Sequence, residues 1–462
     1  MYFLWFLIKN KYIRNQKINH MAELEKGSKK LLNAWAFYDW ANSVYTLTIA
    51  SAVFPIFYDA LFADRSHYID VFGLHLKNSA LISFVTAFAF LVVSFLSPLL
   101  SGIADYVGDK KSFMKFFCYL GALSCMGLYW FNLENIYIGL MFYFFGLIGY
   151  WGSLVFYNSY LPDIAYPEQQ DSISAKGYSL GYIGSVILLV INLGMIMKPK
   201  LFGITGTDGE AAMKAMRYSF VMVGVWWVLF SQYSYYFLPK GNKNNDRKVT
   251  RHVVFNGFKE LKKVWVLLQE NSALKRYLES FFVSSMAVQT VMLVATYFGA
   301  QEIAWSSKEE GTIGLIICIL IIQLVAVLGA FLTSRASAKF GNIPTLIGIN
   351  CIWAAFCALA FFITLPIHFY VMASIAGLVM GGIQSLSRST YSKLLPETQD
   401  TASFFSFYDV AEKIGIVIGM VVYGVIDQIT GSPRLAIVFL GVFFVTAVFL
   451  LKRVPKKGVL NE

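Results

Sequence analysis

Apolar residues run in stretches of about 20 or more along this chain, parted by short polar segments. They lie at roughly 31–60, 79–104, 112–132, 136–158, 174–198 and 217–238, then at 274–300, 311–333, 343–364, 367–387, 403–427 and 434–451. That length suits a helix crossing a bilayer, and no stretch has the shorter alternating pattern of a membrane barrel strand. With no water in the hydrocarbon core, a helix satisfies its backbone groups internally. The predicted fold is an all-α membrane protein of 12 transmembrane helices in two six-helix bundles. The seventh stretch is the least clean, with Arg276 and Glu279 near its start.

The pattern divides the chain into an N-terminal arm (1–30), a first half (31–238), a linker (239–272), a second half (273–452) and a tail (453–462). The linker begins as a flexible polar run. Phe258, Leu261, Val264, Trp265 and Leu268 then recur at helical spacing, with Lys259, Lys262 and Lys263 off that face. This predicts an amphipathic helix, lying on the membrane surface or packed on the bundle. Both readings stand at this point.

The halves echo each other. Pro167-Glu-Gln-Gln-Asp171 returns as Pro396-Glu-Thr-Gln-Asp400 before the equivalent apolar stretch, and Gly181–Ile187 resembles Glu412–Ile418. Gly108 and Gly341 close comparable loops. Duplicated halves of this kind are a common transporter architecture.

Composition agrees. The chain is 57% hydrophobic and 14% charged, with mean hydropathy +0.59, where soluble domains carry about 25% charged residues. With both termini cytoplasmic, the outside loops hold only Arg65, Lys77, Lys198, Lys200, Lys214, Arg217, Lys308 and Arg434 of the 38 basic residues. The net charge of +11 therefore reads as positive-inside bias rather than a nucleic-acid surface. Cys118, Cys125, Cys318, Cys351 and Cys357 all fall in apolar stretches without metal spacing, and no histidine lies mid-stretch. No metal, cofactor or catalytic constellation is expected. The absence of an N-x-[ST] sequon leans toward a bacterial source, hence an inner membrane. Residues 1–20 place apolar before basic residues, the reverse of a signal peptide. Either Met21 is the start, which is the favoured reading, or they form a surface-lying arm.

Polar residues inside apolar stretches are the candidate chemistry, because a carboxylate near a helix centre costs about 2.5–3.5 kcal/mol on insertion scales. Asp39 lies within the first stretch, with Asn42 and Ser43 extending its face. It reads as a substrate or proton site, or else as a structural carboxylate. The eleventh stretch carries Asp409, Glu412 and Lys413. Lys413 is the one cation expected well inside a stretch, with Asp409 as its local candidate partner and Asp39 as its distant one. Glu412 is expected to point elsewhere on the helix. A pair that remakes between helices would gate transport, whereas a permanent i,i+4 pair would not. Gly177, Gly181 and Gly184 make a small-residue packing face.

Gly102-Ile-Ala-Asp-Tyr-Val-Gly-Asp-Lys-Lys111 resembles the signature loop of the major facilitator superfamily. Here Gly102 allows close helix contact, Gly108 a tight turn, and Lys110 and Lys111 hold the loop inside. The resemblance implies that Asp105 engages the start of the eleventh helix and locks that side closed. The mirror loop Ser334–Gly341 has Ala338 opposite Asp105, which puts a second lock in doubt. Superfamily cavities are lined by helices one, four, seven and ten, so Tyr38, Tyr157, Asn158, Gln289, Thr290 and Gln384 are candidate lining residues.

Trp35–Ser43, Phe156–Ala165, Lys176–Gly184 and Gly381–Ser389 together resemble the autophagy-related vacuolar amino-acid effluxer family, across about residues 31 to 450. The resemblance implies the major facilitator fold and export of amino acids. The partners expected are a small-molecule substrate, a coupled proton and the lipid bilayer, with the chain a monomer. One departure matters. Where that family often has an acidic residue in helix seven, this chain has Met286 opposite Asp39, so paired proton sites in both halves are not expected. The leading reading is a secondary-active transporter of small polar organic solutes, amino acids or short peptides. The alternatives are a facilitator of sugars, nucleosides or drugs, and a transport-inactive receptor or scaffold. No enzyme is expected.

Overall fold

The computed structural model describes residues 24–62, 68–71, 73–241 and 253–455. The expected arm at 1–20, the polar run of the linker and most of the tail lie outside them.

The chain folds as a succession of long helices. In the first half these are α1 (Lys29–Ala60), α2 (Asn78–Val107), α3 (Lys110–Gly127), α4 (Ile136–Ser159), α5 (Pro167–Met197) and α6 (Asp208–Phe237). After the linker helix Val253–Glu270 come α7 (Ser272–Glu302), α8 (Lys308–Phe340), α9 (Asn342–Leu359), α10 (Pro366–Leu394), α11 (Thr401–Thr430) and α12 (Pro433–Lys452). A short antiparallel hairpin, β1 (Tyr68–Val71) with β2 (Leu74–Lys77), joins α1 to α2 and was not foreseen. Nine helices among the described residues are long and apolar enough to cross a membrane by length and composition. α3, α6 and α11 are not among the nine; α3 opens on Lys110 and Lys111, α6 on Asp208 and Glu210, and α11 holds Asp409, Glu412, Lys413 and Asp427.

Local chemistry sets the helix starts. Asp109 accepts from Ser112 N, Asn271 from Leu274 N and Ser307 from Glu310 N, each satisfying a backbone donor the helix leaves open. Pro167 opens α5, where its missing N–H costs nothing. Gly108, at φ +70°, ends α2 in a left-handed conformation that a side chain would strain.

Buried side chains form two main clusters, one drawn almost wholly from α1–α6 and one from α7–α12 with the linker helix. Trp35 and Trp227 lie fully buried in the first. In the second, Trp353 stacks on Phe444 with ring centroids 5.4 Å apart. The two bundles meet where α5 packs against α8 and α10, and α11 against α2 and α4. The linker helix packs on α2, burying Val264 and Leu268, while Trp265 is half exposed and lies against Phe407 of α11. The helix thus contacts the bundle through Val264 and Leu268; the Phe258 side chain lies outside the described residues.

Candidate functional site

Asp39 and Arg388 form an ion pair between the two bundles, with Arg388 Nη2 at 3.2 Å from Asp39 Oδ2. Their side chains are 6% and 2% exposed, so neither charge has water to fall back on. Removing each from water costs several kcal/mol, which mutual attraction offsets only where the remaining donors and acceptors are also paired. Here they are well supplied. Tyr157 of α4 donates to Asp39 Oδ2 at 2.8 Å. Arg388 donates through Nη1 to Asn158 Oδ1 at 3.2 Å, through Nε to Ser174 Oγ at 3.0 Å and through Nη2 to Ser174 O at 3.0 Å. The guanidinium also lies over the rings of Tyr178, Trp35 and Tyr157, at 4.2, 4.8 and 5.4 Å from their centroids.

Helix α5 must approach closely for this to assemble. A Cβ at Gly177 would stand 2.5 Å from Asp39 Oδ2 and 3.1 Å from Arg388 Nη2. The glycine face expected to pack helices thus also makes room for the ion pair. Trp35 Nε1 donates to Tyr157 O at 2.8 Å and its ring stacks on that of Tyr157 at 4.6 Å, fixing α1 against α4.

Arg388 is the residue that sequence reasoning missed. The sequence places the end of the tenth stretch at 387, one residue short of it. Instead α10 continues to Leu394, and Arg388 is buried within it. The overlooked signal is Pro396, which stops a helix one or two residues before it. Lys413 is therefore not the one cation within a helix, and Asp39 is not its partner.

A second buried charge cluster lies on α11. Lys413 Nζ stands 2.6 Å from Asp409 Oδ1 and 3.3 Å from Glu412 Oε2, so Glu412 does not point away as expected. Adjacent residues share an ammonium here because the lysine stem reaches across the helix face. Gln289 of α7 donates to Glu412 Oε1 at 2.7 Å. Across the bundle interface, Lys413 lies 3.6 Å from the ring centroid of Trp151 of α4.

The remaining candidates disperse. Tyr182 of α5 donates to Gln384 at 2.7 Å across the interface. Ser43 donates to Asn42 at 3.3 Å and rests where a Cβ at Gly181 would intrude. Tyr38 faces Tyr157 and Tyr235 inside the first bundle, and Thr290 bonds its own helix backbone against Gly419.

Two clasps join the bundles toward one end. Asp105 accepts from Ala402 N at 3.3 Å and Ser403 N at 2.7 Å, so its carboxylate sits on the open N–H groups at the start of α11. Lys110 bonds Asp163 at 2.6 Å and also reaches Thr401. Lys111 instead donates to Leu238 O at 2.6 Å, inside the first bundle. In the mirror position the polarity reverses. Asp171 of α5 supplies the carboxylate and accepts from Ser337 Oγ and Asn342 Nδ2, each at 2.9 Å, and from Lys393 Nζ at 2.7 Å. Ala338 does leave a gap opposite Asp105, but its neighbours on the same turn fill the role with donors.

Two bundles of long apolar helices, joined across their interface by buried charges, make a membrane-protein fold that solved transporters share. The chain is similar to the E. coli fucose:proton symporter FucP at 14% identity and TM-score 0.65, over 93% of this chain and 98% of that one, which shows the major facilitator fold. Residues 27–461 match the family described as "Vacuole effluxer Atg22 like", and the chain belongs to that family. It is 30% identical to the uncharacterized MFS-type transporter YxiO of Bacillus subtilis, over 92% of this chain and 95% of that one. It is 22% identical to autophagy-related protein 22-2 of Aspergillus oryzae, over 85% of this chain and 76% of the relative.

Proposed function

We propose that this protein is a secondary-active transporter of small zwitterionic solutes, amino acids or short peptides, which it carries by alternating exposure of a site between residues 31–238 and 273–452. The observation that supports this reading is the Asp39–Arg388 pair. It couples the two bundles through opposite charges, each held by neutral donors and acceptors. An amino acid presents the same two charges. Its carboxylate would take the fork of Arg388, and its ammonium would take Asp39, so both buried charges keep a partner when the direct pair opens. Tyr157, Asn158 and Ser174 would steady the two groups meanwhile. The family's description as an effluxer supports solute export. The basic bias of the loops supports a cytoplasmic location for the clasped end and both termini, in a bacterial inner membrane.

The test is a thermal-shift screen of the purified chain against amino acids, short peptides, sugars and nucleosides. Stabilisation by an amino acid, lost with its N-acetyl and amide derivatives, is expected. Asp39→Asn should abolish both that shift and uptake into proteoliposomes while its elution on gel filtration stays the same. A sugar or nucleoside that stabilises where no amino compound does would replace this substrate class. Silence from every solute, with no uptake, would favour a receptor or scaffold.

A further inference from the structure

We infer that Asp409 is a proton-binding site, with Ser97, Glu412, Lys413 and Trp151 as its surroundings; as a coupling site it rests on the secondary-active reading above. The Asp39–Arg388 pair is balanced in charge and well supplied with partners, whereas the α11 cluster is not. Asp409 and Glu412 set two carboxylates against the single ammonium of Lys413. An uncompensated negative charge within a bundle is costly, and one proton removes it.

Partner by partner, the site is localised. Asp409 Oδ1 and Glu412 Oε2 face Lys413, and Glu412 Oε1 accepts from Gln289. Asp409 Oδ2 is buried with no hydrogen bond, and the residue is 6% exposed. Beside it is the hydroxyl of Ser97 of α2, 5% exposed, which finds no other partner. A proton from the aqueous phase added to Oδ2 neutralises the cluster and lets that oxygen donate to Ser97 Oγ, where the carboxylate could only accept from it. No other bond is made or broken.

The groups facing the cluster from neighbouring helices do not supply the missing charge. Trp151 on α4 and Gln289 on α7 touch it, Ser97 on α2 lies beside Asp409, and the neutral phenols of Tyr150, Tyr178 and Tyr408 are near both this cluster and the Asp39–Arg388 pair, whose own charges balance. Asp105, at the start of α11, is another carboxylate. Protonation would also loosen the hold of Asp409 on Lys413, the cation that touches Trp151 across the interface, which links the proton to bundle contact.

Infrared difference spectra of the purified chain between mildly acidic and mildly alkaline buffer test this without any solute, so the result is independent of the substrate reading. A carbonyl band of a buried protonated carboxylic acid is expected to titrate in the unaltered chain and in Asp39→Asn, and to vanish in Asp409→Asn. Ser97→Ala should keep the band but move it, since its hydrogen-bond partner is gone; this variant decides the matter if Asp409→Asn fails to fold. Absence of a titrating band, its survival in Asp409→Asn, its loss in Asp39→Asn alone, or no movement in Ser97→Ala would overturn the assignment.

Discussion

At the scale of single residues, the ion pair depends on an atom that is absent. Gly177 lets α5 pass so close to Asp39 that a methyl group there would overlap the carboxylate at 2.5 Å, whereas Gly194 on the same helix has nothing within 4 Å of its missing Cβ. Gly177→Ala should therefore cost about 1–3 kcal/mol through overpacking and displace Asp39 from Arg388, seen as lower thermal stability and lost uptake. Gly194→Ala should be neutral or stabilise by up to about 1 kcal/mol through helix propensity. Equal effects of the two would mean that close approach does not matter. Sequence alone revealed one side of the pair. Asp39 stood out as a carboxylate in an apolar run, and Tyr157 and Asn158 as polar residues on a helix expected to face it. Arg388 did not, because it lies just past the apolar run whose end marks the predicted stretch, in a polar segment that only tertiary packing buries. Chemistry that depends on a residue from the other half of the chain leaves no local pattern.

Among elements, the bundle interface is held by clasps at mirrored places whose donor and acceptor sides are exchanged. Asp105 was legible because its loop keeps a familiar pattern. The opposite clasp was not, because a search for a second carboxylate on the mirror turn meets Ala338, while the carboxylate, Asp171, lies on α5. It ends the first of the two echoed segments; Asp400, which ends the second, pairs with Lys263 of the linker helix at 2.8 Å. The repeat marked where the halves engage without telling which partner carries which charge. Asp171→Asn strands the largely buried Lys393 and should destabilise by on the order of 3 kcal/mol. Adding Lys393→Met removes the stranded ammonium, so the double variant should recover part of that loss. Denaturation midpoints of the single and double variants check this, and a fully additive double loss would show that the two residues do not act as a pair.

For the whole molecule, the clasps matter only if they bias one shared equilibrium between closure at this end and closure at the other. The contacts of Asp105, Asp171 and Arg388 all cross the same interface. In a rigid two-bundle motion they must open together. Hydrogen bonds to charged groups are worth about 1.5–3 kcal/mol each, and reversing a strongly one-sided equilibrium takes about 5.5 kcal/mol. Asp105 accepts two such bonds and Asp171 three, so each clasp is large enough to bias the equilibrium, and an Asn in place of either aspartate, which weakens its bonds rather than deleting them, shifts it only part of the way. Spin labels at the exposed Ser172 and Lys339 flank the clasped end, and labels at Met197 and Ile313 report the other. Asp105→Asn or Asp171→Asn alone should populate a minor second distance at each pair, longer at the clasped end and shorter at the other. The combined variant should multiply the two population ratios, because independent biases on one equilibrium add as free energies. A double variant no more shifted than either single one, or a clasped end that widens while the other stays fixed, would mean that the clasps open locally and do not govern a concerted motion.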